Sequence, residues 1–369
     1  MILSGARVFD GVKLHDGMGV ALEEGRVLAT GPLEGDDLGG GILCPGFVDI
    51  LVNGGGGEML NEAPTAQTLR LMSEAHAKLG ATSILPTLIT APLEVFQDAV
   101  NAVVEARQEG VQGLVGLHLE GPHLTRAGAH DPELLRPMTD VDVKLYCHAA
   151  RVLGCLKITV APELVSDNHI NSLVQCGVIV SLGHTEADYD RCRAASQAGA
   201  SVVTHLFNAM TGLKHRAPGC VGAALTDPRL SAGLIADGMH VHEGLLATVW
   251  RAKAGVDRLF LVSDAMAVAG TEMTEFTLNN RRVMRSGGRL TLEDGTLAGA
   301  DLDLSTAVKN MVNAGVPLEE SLAMATRVPA DVIGRDDLGR IELGSPADLV
   351  HLDDDLNVQA VWRGGQRVL

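Results

Sequence analysis

The chain has 369 residues, and its 46 Asp and Glu against 29 Lys and Arg give a net charge of −17 at pH 7. Hydrophobic residues make up 46% of the sequence, enough for a large buried core, so a mainly disordered chain is excluded. No basic run interrupts the acidity, and no apolar stretch approaches the length of a membrane span. We therefore expect neither a nucleic acid nor a membrane as partner.

The two ends of the chain resemble each other in pattern. Residues 1–44 and 336–369 both alternate short apolar runs with Gly, Asp and Pro, which indicates short strands separated by turns. Because chain termini often lie close together, we expect both segments to form one small β-sandwich domain.

The middle of the chain, residues 45–335, has a different rhythm. Short runs rich in Val, Ile and Leu alternate with longer Ala-rich segments of helical period. Eight runs are expected to form strands: 42–54, 82–87, 114–121, 156–163, 178–185, 201–209, 231–240 and 258–265. Helices are expected at 65–80, 92–109, 139–153, 186–198, 243–254, 303–314 and 318–326, with a further β-like segment at 273–297.

Eight such strands alternating with helices predict an α/β fold, a TIM-like (β/α)8 barrel. The rival fold is a doubly wound open sheet. Its usual signal, GxGxxG opening a helix after the first strand, is not found, because the glycines at 54–57 lack that spacing.

The cysteines and the N-terminus indicate the compartment. Six cysteines are scattered without a CxxC spacing, and the first residues lack the pattern of a secretory signal. Both observations predict a cytoplasmic protein whose thiols are reduced and buried.

Polar residues stand where several of the expected strands end. In a barrel, catalytic groups lie at the carboxyl ends of the strands. Glu120, His184 and His205 fall on three strands of that face, so we expect them to bind one divalent metal ion and leave one position open to water. A lone histidine at a strand end is more often structural, but three such residues together favour the metal site.

Asp264 ends the eighth run, LFLVSD. It is either a buried residue that caps the next turn or the group that exchanges a proton with water beside the metal. Asp237 is equally open between a turn residue before Gly238 and a functional group. His118 lies two residues before Glu120 on the same strand face. It is either a further metal ligand or a core residue, and we favour a position in the core or just behind the ligands.

A basic segment follows the sixth run. Lys214, His215 and Arg216 lie in TGLKHRAPG, and the segment is either a solvated loop or a site of anion capture. A guanidinium group fits a phosphate well, so Arg216 is the best placed phosphate ligand in an otherwise acidic chain.

The motifs together resemble the amidohydrolase superfamily and, within it, the N-acetylglucosamine-6-phosphate deacetylases. The resemblance extends in order over nearly the whole chain and rests on the segments PGFVDILVNG, HLEGPHL, GAH, GHT, HLFNAM, DGMH, SDA, LAG and GRIELGSPADLV. HLEGP followed by GHT and HLFNAM is specific to these deacetylases, whereas the last segment is shared across the superfamily.

The resemblance implies a metal-dependent hydrolase that removes the acetyl group from N-acetylglucosamine 6-phosphate in amino-sugar catabolism, and it implies a homodimer. Carried over to this sequence, the metal ligands are Glu120, His184 and His205, and the catalytic acid/base is Asp264. His130 would polarise the amide carbonyl. The implied substrate contacts are Ala129, His130, Asn208, Ala209, Arg216, His240, Leu297, Ala298 and Gly299.

One departure bears on the metal. Many superfamily members carry His-x-His at the end of the first strand, whereas residues 49–54 here contain no histidine. This favours a single ion, zinc first, with iron, cobalt or manganese as substitutes.

Two alternatives stay open. The substrate can be N-acetylgalactosamine 6-phosphate, which differs at one hydroxyl group. The chain can also be a catalytically silent barrel that binds a ligand, although a silent relative would be expected to lose at least one of the four residues Glu120, His184, His205 and Asp264.

Overall fold

A computed structural model of the chain describes residues 1–279 and 281–369. Its centre is a (β/α)8 barrel, which confirms the predicted fold class. The eight parallel strands pair in chain order: Phe47–Val52, Ala81–Ile89, Leu117–Glu120, Leu156–Val160, Val178–Leu182, Val202–Val203, Ser231–Leu234 and Leu259–Leu261. Each overlaps one of the eight apolar runs.

The barrel closes between its first and last strands. Val52 forms a parallel bridge with Ala265, and the Asp264 amide donates to the Leu51 carbonyl over 3.1 Å. The carboxyl ends of all eight strands therefore surround one mouth, where the polar strand-end residues meet.

Helices follow the strands and cover the barrel. They span Ala66–Lys78, Leu93–Gln108, Asp140–Leu153, Asp167–Gln175, Tyr189–Gln197, Gly219–Thr226, Glu243–Ala252, Leu304–Asn313, Leu318–Ala325 and Arg327–Val332. Short 3₁₀ helices span Pro132–Leu134 and Pro162–Leu164. Side chains at the residue before the helix, such as Thr65, Thr139 and Asp188, accept from the first turn and fix where several helices begin.

Three helices were not among the predicted segments: Asp167–Gln175, Gly219–Thr226 and Arg327–Val332. The reason is clearest for Gly219–Thr226, because seven of its eight residues are buried. A helix that is apolar all round lacks the alternation of faces by which helical period is recognised.

The two termini form a β-sandwich. One sheet has the order Arg26–Gly31, Gly19–Glu23, Ile2–Ser4, Asp36–Asp37. The other has the order Gln366–Arg367, Val358–Arg363, Leu349–Leu352, Ile42–Pro45, Arg7–Phe9, Leu14–His15, so it takes strands from both ends of the chain.

The two sheets share a hydrophobic core that includes Leu3, Val20, Leu43, Leu349 and Trp362. The proposed division of the chain into 1–44 with 336–369 and 45–335 falls one residue before the end of the strand Ile42–Pro45.

A third group of strands covers part of the barrel mouth. Glu275–Leu278, Arg281–Ser286, Arg289–Leu292 and Leu297–Ala300 form an antiparallel sheet, which we call the covering sheet. A small hairpin, Gly54–Gly55 with Glu58–Met59, lies near it. The Ala300 amide donates to the Asp264 carbonyl over 2.9 Å, so the covering sheet is attached directly to the end of the last barrel strand.

The cysteines differ in part from the expectation. Cys147 and Cys176 are joined by a disulfide, so the prediction of six reduced thiols is wrong for this pair, which no sequence spacing indicated. Cys44, Cys155, Cys192 and Cys220 are free and buried. Within the described ranges, no helix has both the length and the apolarity to cross a membrane.

Candidate active site

Three side chains converge at the barrel mouth. Glu120 ends the third strand, while His184 and His205 each stand two residues beyond the fifth and sixth strands. Glu120 Oε1 lies 3.0 Å from His205 Nε2 and 3.3 Å from His184 Nε2. All three residues are buried, and one ligand atom from each lies within 4.8 Å of the others.

The hydrogen bonds of His184 show which of its ring nitrogens faces the group. Its Nδ1 lies 2.7 Å from the Arg126 carbonyl, which can only accept, so Nδ1 carries the hydrogen. In the neutral ring, Nε2 then presents a lone pair toward the Glu120 carboxylate. A backbone carbonyl that fixes a ring in this way is the usual partner of a metal-binding histidine.

The donor set fits a divalent metal ion. Two lone-pair atoms, His184 Nε2 and Glu120 Oε1, face each other at 3.3 Å, and His205 Nε2 lies 3.1 Å from His184 Nε2. Glu120 Oε1 is buried and has no hydrogen-bond partner among the described residues. A cation between these atoms turns mutual repulsion into coordination, and one carboxylate with two imidazoles is a known set for it.

Asp264 lies beside this group. Its Oδ1 accepts from Asn53 Nδ2 over 2.7 Å, and its backbone has φ of +52°, in the left-handed region. Burial raises the pKa of the Asp264 carboxyl, and the negative charge of Glu120 raises it further. A buried carboxyl whose pKa is raised suits a group that both takes and returns a proton.

His130 faces the same space from the loop after the third strand. Its Nδ1 accepts from the Thr90 amide over 3.3 Å and lies 2.9 Å from the Thr90 hydroxyl oxygen. Burial lowers the pKa of His130 to about 3, and the neighbouring His184 contributes. The ring is therefore neutral, and its Nε2 carries the hydrogen, 3.9 Å from Glu120 Oε2.

These residues line one cavity of about 410 Å³, a volume typical of small-molecule sites. The sequence-predicted residues on its wall are Glu120, Ala129, His130, His184, His205, Asn208, Ala209, His240, Asp264, Leu297 and Gly299.

Two sequence-predicted residues do not lie on the wall. Ala298 is fully buried in the hydrophobic cluster beneath the covering sheet, because alternation along the strand Leu297–Ala300 turns it away from its neighbours. Arg216 is exposed in the loop that follows the sixth strand, and it does not reach the cavity.

Seven further wall residues were not predicted: Asn53, Ile89, Arg126, Gly128, Ile235, Met266 and Thr296. Asn53 and Ile235 directly follow the strand ends Val52 and Leu234, so position at a strand end was the available signal for these two. Nothing in residue type distinguished Ile89, Ile235 or Met266 from core residues.

The segment after the sixth strand folds into a tight turn. Phe207 and Ala209 both adopt positive φ, +76° and +49°. The Asn208 side chain donates to the Leu206 carbonyl over 3.2 Å, and the Ala209 carbonyl accepts from the Thr185 amide over 3.0 Å. The turn thus fixes Asn208 and Ala209 at the cavity wall.

His240 is held by the residue three positions before it. Its Nδ1 lies 2.6 Å from Asp237 Oδ2, and both side chains are nearly fully buried. Asp237 also accepts from the Met239 and His240 amides. Asp237 therefore shapes the turn and also orients His240 toward the cavity.

Gly299 shows why the covering sheet needs a glycine at the cavity. Its φ is +66°, and a Cβ there would lie 2.5 Å from Met266 Cγ and 2.8 Å from the Asp264 carbonyl oxygen. Any side chain would push the covering sheet away from the last barrel strand.

A polar layer lies deeper in the barrel. His118 is fully buried, with Nε2 2.7 Å from the Thr159 hydroxyl and Nδ1 3.1 Å from the Thr87 hydroxyl. It therefore lies in the core below the cavity, not on its wall. Burial lowers the pKa of Lys157 in the same layer to about 8.

A carboxylate and two imidazoles at the carboxyl ends of barrel strands, with a buried acid beside them, define a barrel hydrolase that can hold a metal ion. The sequence profile of the amidohydrolase family matches residues 42–368. The chain belongs to the amidohydrolase family.

Individual relatives agree with this assignment. The N-acetylgalactosamine-6-phosphate deacetylase of Shewanella sp. (strain ANA-3) is 46% identical over 331 residues, which cover 88% of this chain and 83% of that protein. The N-acetylglucosamine-6-phosphate deacetylase of Pasteurella multocida is 36% identical, with a TM-score of 0.94 over 99% of this chain and 98% of its own.

A third relative was solved with a bound sugar. The structure of a mutant N-acetyl-D-glucosamine-6-phosphate deacetylase of Mycobacterium smegmatis in complex with N-acetyl-D-glucosamine-6-phosphate has 33% identity and a TM-score of 0.93, covering 100% of this chain and 99% of that one. The chain is therefore an enzyme of the amidohydrolase family.

Proposed function

We propose that the chain hydrolyses N-acetylglucosamine 6-phosphate to glucosamine 6-phosphate and acetate. The observation that carries the proposal is the buried group Glu120, His184 and His205 with Asp264 beside it, on the wall of one cavity. The names of the structural relatives supply the substrate class.

Glu120, His184 and His205 would hold one divalent ion, zinc first, with iron, cobalt or manganese as alternatives. When bound, such an ion acidifies water and polarises an amide carbonyl at neutral pH.

Asp264 carries the proton. Its carboxylate accepts a proton from the attacking water, whose oxygen forms a bond with the acetyl carbon. The bond between that carbon and the sugar nitrogen then breaks, and the Asp264 proton passes to the leaving amine. The oxygen of the water molecule thus ends in acetate and its proton on the amine, and no covalent enzyme intermediate is required.

His130 assists at the carbonyl oxygen. Because its Nδ1 is occupied as an acceptor at Thr90, its Nε2–H points into the cavity as a neutral donor. A fixed donor of this kind stabilises the negative charge that develops on the carbonyl oxygen.

The sugar and its phosphate would contact the remaining proposed residues. Asn208 and Ala209 lie in the rigid turn, His240 is oriented by Asp237, and Ala129, Leu297 and Gly299 lie on the cavity wall. Arg216 would approach from its exposed loop to bind the phosphate, and Ala298 would act only through the backbone of its strand.

N-acetylgalactosamine 6-phosphate is a second candidate substrate, favoured by the 46% identity to the Shewanella protein of that name. The two sugars differ only in the orientation of one hydroxyl group, and the acetamide chemistry is the same. The experiment is to compare kcat/KM for both sugar phosphates in one acetate-release assay. We expect the glucosamine derivative to give the higher value, and a higher value for the galactosamine derivative would assign the second function.

We further propose a homodimer. Leu213 and Leu245 are 59% and 43% exposed, and both lie in segments that follow neighbouring barrel strands, the sixth and the seventh. Exposed apolar side chains are suited to an interface. Light scattering should give twice 38.6 kDa, and a mass of 38.6 kDa at micromolar concentration would contradict the proposal.

We propose the cytoplasm as the compartment, supported by the four free, buried cysteines. The Cys147–Cys176 disulfide is an observation against a reducing compartment. Cell fractionation should recover the chain with cytoplasmic marker enzymes, and recovery with exported proteins would contradict the proposal.

A further inference from the structure

The first barrel strand ends at an asparagine that touches the proposed acid/base. Asn53 follows Val52 directly, is 1% exposed and lies on the cavity wall. Its Nδ2 donates to Asp264 Oδ1 over 2.7 Å, across the seam where the barrel closes. In its ionised form, which is the form that can take a proton from water, the Asp264 carboxylate can only accept, so the amide nitrogen is the end of Asn53 that suits it.

The backbone of Asn53 is held from both sides. Its amide donates to the Ala265 carbonyl over 2.9 Å, and its carbonyl accepts from the Leu60 amide over 3.1 Å. The backbone that carries the Asn53 side chain is therefore fixed, and it lies across the seam from Asp264. This is the rigid support that a catalytic carboxylate needs to keep its orientation.

The oxygen of the Asn53 side-chain amide makes no structural contact of this kind. Its Oδ1 is buried and has no hydrogen-bond partner in the described part of the chain. Asn61 provides the contrast, since its Nδ2 donates to the Ile89 carbonyl and its Oδ1 accepts from the Ile89 amide, both over 3.0 Å. Asn61 joins two segments, whereas the only hydrogen bond that the Asn53 side chain forms with the described residues goes to Asp264.

We propose that Asn53 is a positioning residue for Asp264. By holding Oδ1, it keeps the carboxylate in one orientation and leaves Oδ2 to exchange the proton with water and with the leaving amine. Because the amide is neutral, it orients the carboxylate without adding charge beside Glu120. This inference rests on the proposed function, since it assigns Asn53 to the step that Asp264 carries out.

The test is a double-mutant cycle on N-acetylglucosamine 6-phosphate, with metal content and Tm measured on every sample. Asn53→Ala should lower kcat about 10- to 100-fold, because small errors in orientation are costly, while KM changes less than threefold. In the Asp264→Asn background, Asn53→Ala should lower the residual kcat less than threefold, since the group it orients no longer carries the proton.

The matched control is Asn310→Ala. The Asn310 side chain also donates one hydrogen bond, to the Ala236 carbonyl over 2.8 Å, but it does not contact Asp264. This variant should lose stability and keep kcat within threefold. If Asn53→Ala does not fold, Asn53→Leu, which is similar in size and cannot donate, replaces it in the same cycle.

Two outcomes overturn the inference while the proposed function stands. One is an active wild type with Asn53→Ala within threefold of it in kcat. The other is an equal loss in the wild-type and Asp264→Asn backgrounds, which would show that Asn53 acts independently of Asp264. A wild type that releases no acetate from any acetamido sugar phosphate overturns the proposed function itself, and the inference with it.

Discussion

Four residues other than glycine have left-handed backbone conformations around the proposed metal group. They are His184, Phe207, Ala209 and Asp264, with φ of +47°, +76°, +49° and +52°. Each such conformation costs on the order of 1–3 kcal/mol and persists only where the surroundings impose it. Their concentration at one mouth indicates that the fold holds these side chains in place at the expense of stability.

The role of Asp264 is tested by Asp264→Asn. The amide has nearly the same shape, but it cannot accept the proton of water. We expect the variant to keep its metal, because Glu120, His184 and His205 are unchanged, and to lose about 10²–10⁴-fold in kcat. Elemental analysis and acetate release on the same sample check this, and tens of per cent of residual activity would show that another group is the base.

The role of Arg216 is tested by its removal. The protein carries a net charge of −17, so binding of a phosphate dianion must depend on a few fixed donors. Arg216→Ala should raise KM for the sugar phosphate about 10- to 100-fold, and Arg216→Lys should restore only part of the loss.

Lys214→Ala is the control for Arg216, because Lys214 is exposed in the same loop. It should change KM less than threefold. The unphosphorylated sugar should be a poor substrate for the wild type and insensitive to Arg216→Ala. Equal weakening of both sugars would show that Arg216 is structural and that the phosphate binds elsewhere.

Among the elements, the 3₁₀ helix Pro162–Leu164 joins three loops of the mouth. Glu163 accepts from the Thr125 and Thr185 hydroxyls, each over 2.5 Å, and from the Glu186 amide over 2.6 Å. The Thr125 amide in turn donates to the His184 carbonyl over 2.9 Å. Glu163 thus supports the loop from which His184 reaches the metal group.

Glu163→Ala should therefore weaken metal binding. Residues that orient a metal ligand typically contribute about 10- to 100-fold in affinity, and we expect the lower end because Glu163 is exposed. Competition with a chelator measures the Kd. Glu133→Ala is the matched control, since Glu133 occupies the same place in a second Pro-Glu-Leu 3₁₀ helix. Equal Kd values for the two variants would refute the role of Glu163.

The start of the helix Asp140–Leu153 has a pH-dependent support. Asp142 forms a capping box with Thr139 and accepts from both Arg136 terminal nitrogens, over 2.6 and 2.7 Å. Although burial acts to raise it, hydrogen bonds from Arg136 and Thr139 hold the pKa of the Asp142 carboxyl below its usual range.

Because the pKa of Asp142 is depressed in the folded state, its contribution is complete above the unfolded pKa of about 3.9 and is lost as the pH falls through the folded value. Asp142→Asn should lower the free energy of unfolding by about 1–3 kcal/mol at pH 7. This difference should shrink below about pH 4. Denaturant titrations at pH 7 and below about pH 4 check this. Asp140→Asn is the control, and we expect a small effect because the Asp140 side chain is 88% exposed. A difference independent of pH would contradict it.

For the whole molecule, the barrel was predictable because its strands are buried on both faces. Segments such as Phe47–Val52 and Leu156–Val160 are buried at every residue and mostly apolar, and the helices between them have one polar face. Gly219–Thr226, one of the three helices that were not predicted, has no polar face and gave no helical signal.

The site was predictable in part, for a related reason. Glu120, His184 and His205 are chemically conspicuous at strand ends, and barrel topology alone brings strand ends together. Arg126 and Thr296 are ordinary residues whose place on the wall depends on how the loops and the covering sheet fold back. Asn53 stands at a strand end, but its residue type did not mark it as functional. The exposure of Arg216 likewise depends on its loop, which the motif does not encode.

The most direct test of the account is acetate release from N-acetylglucosamine 6-phosphate as a function of bound metal. The chain is purified, stripped with a chelator and titrated with a divalent ion. We predict that acetate and free amine appear in equal amounts, that activity disappears on stripping, and that it returns in full at one ion per chain. Acetate release that survives complete removal of metal, or none at any metal loading, would contradict the account.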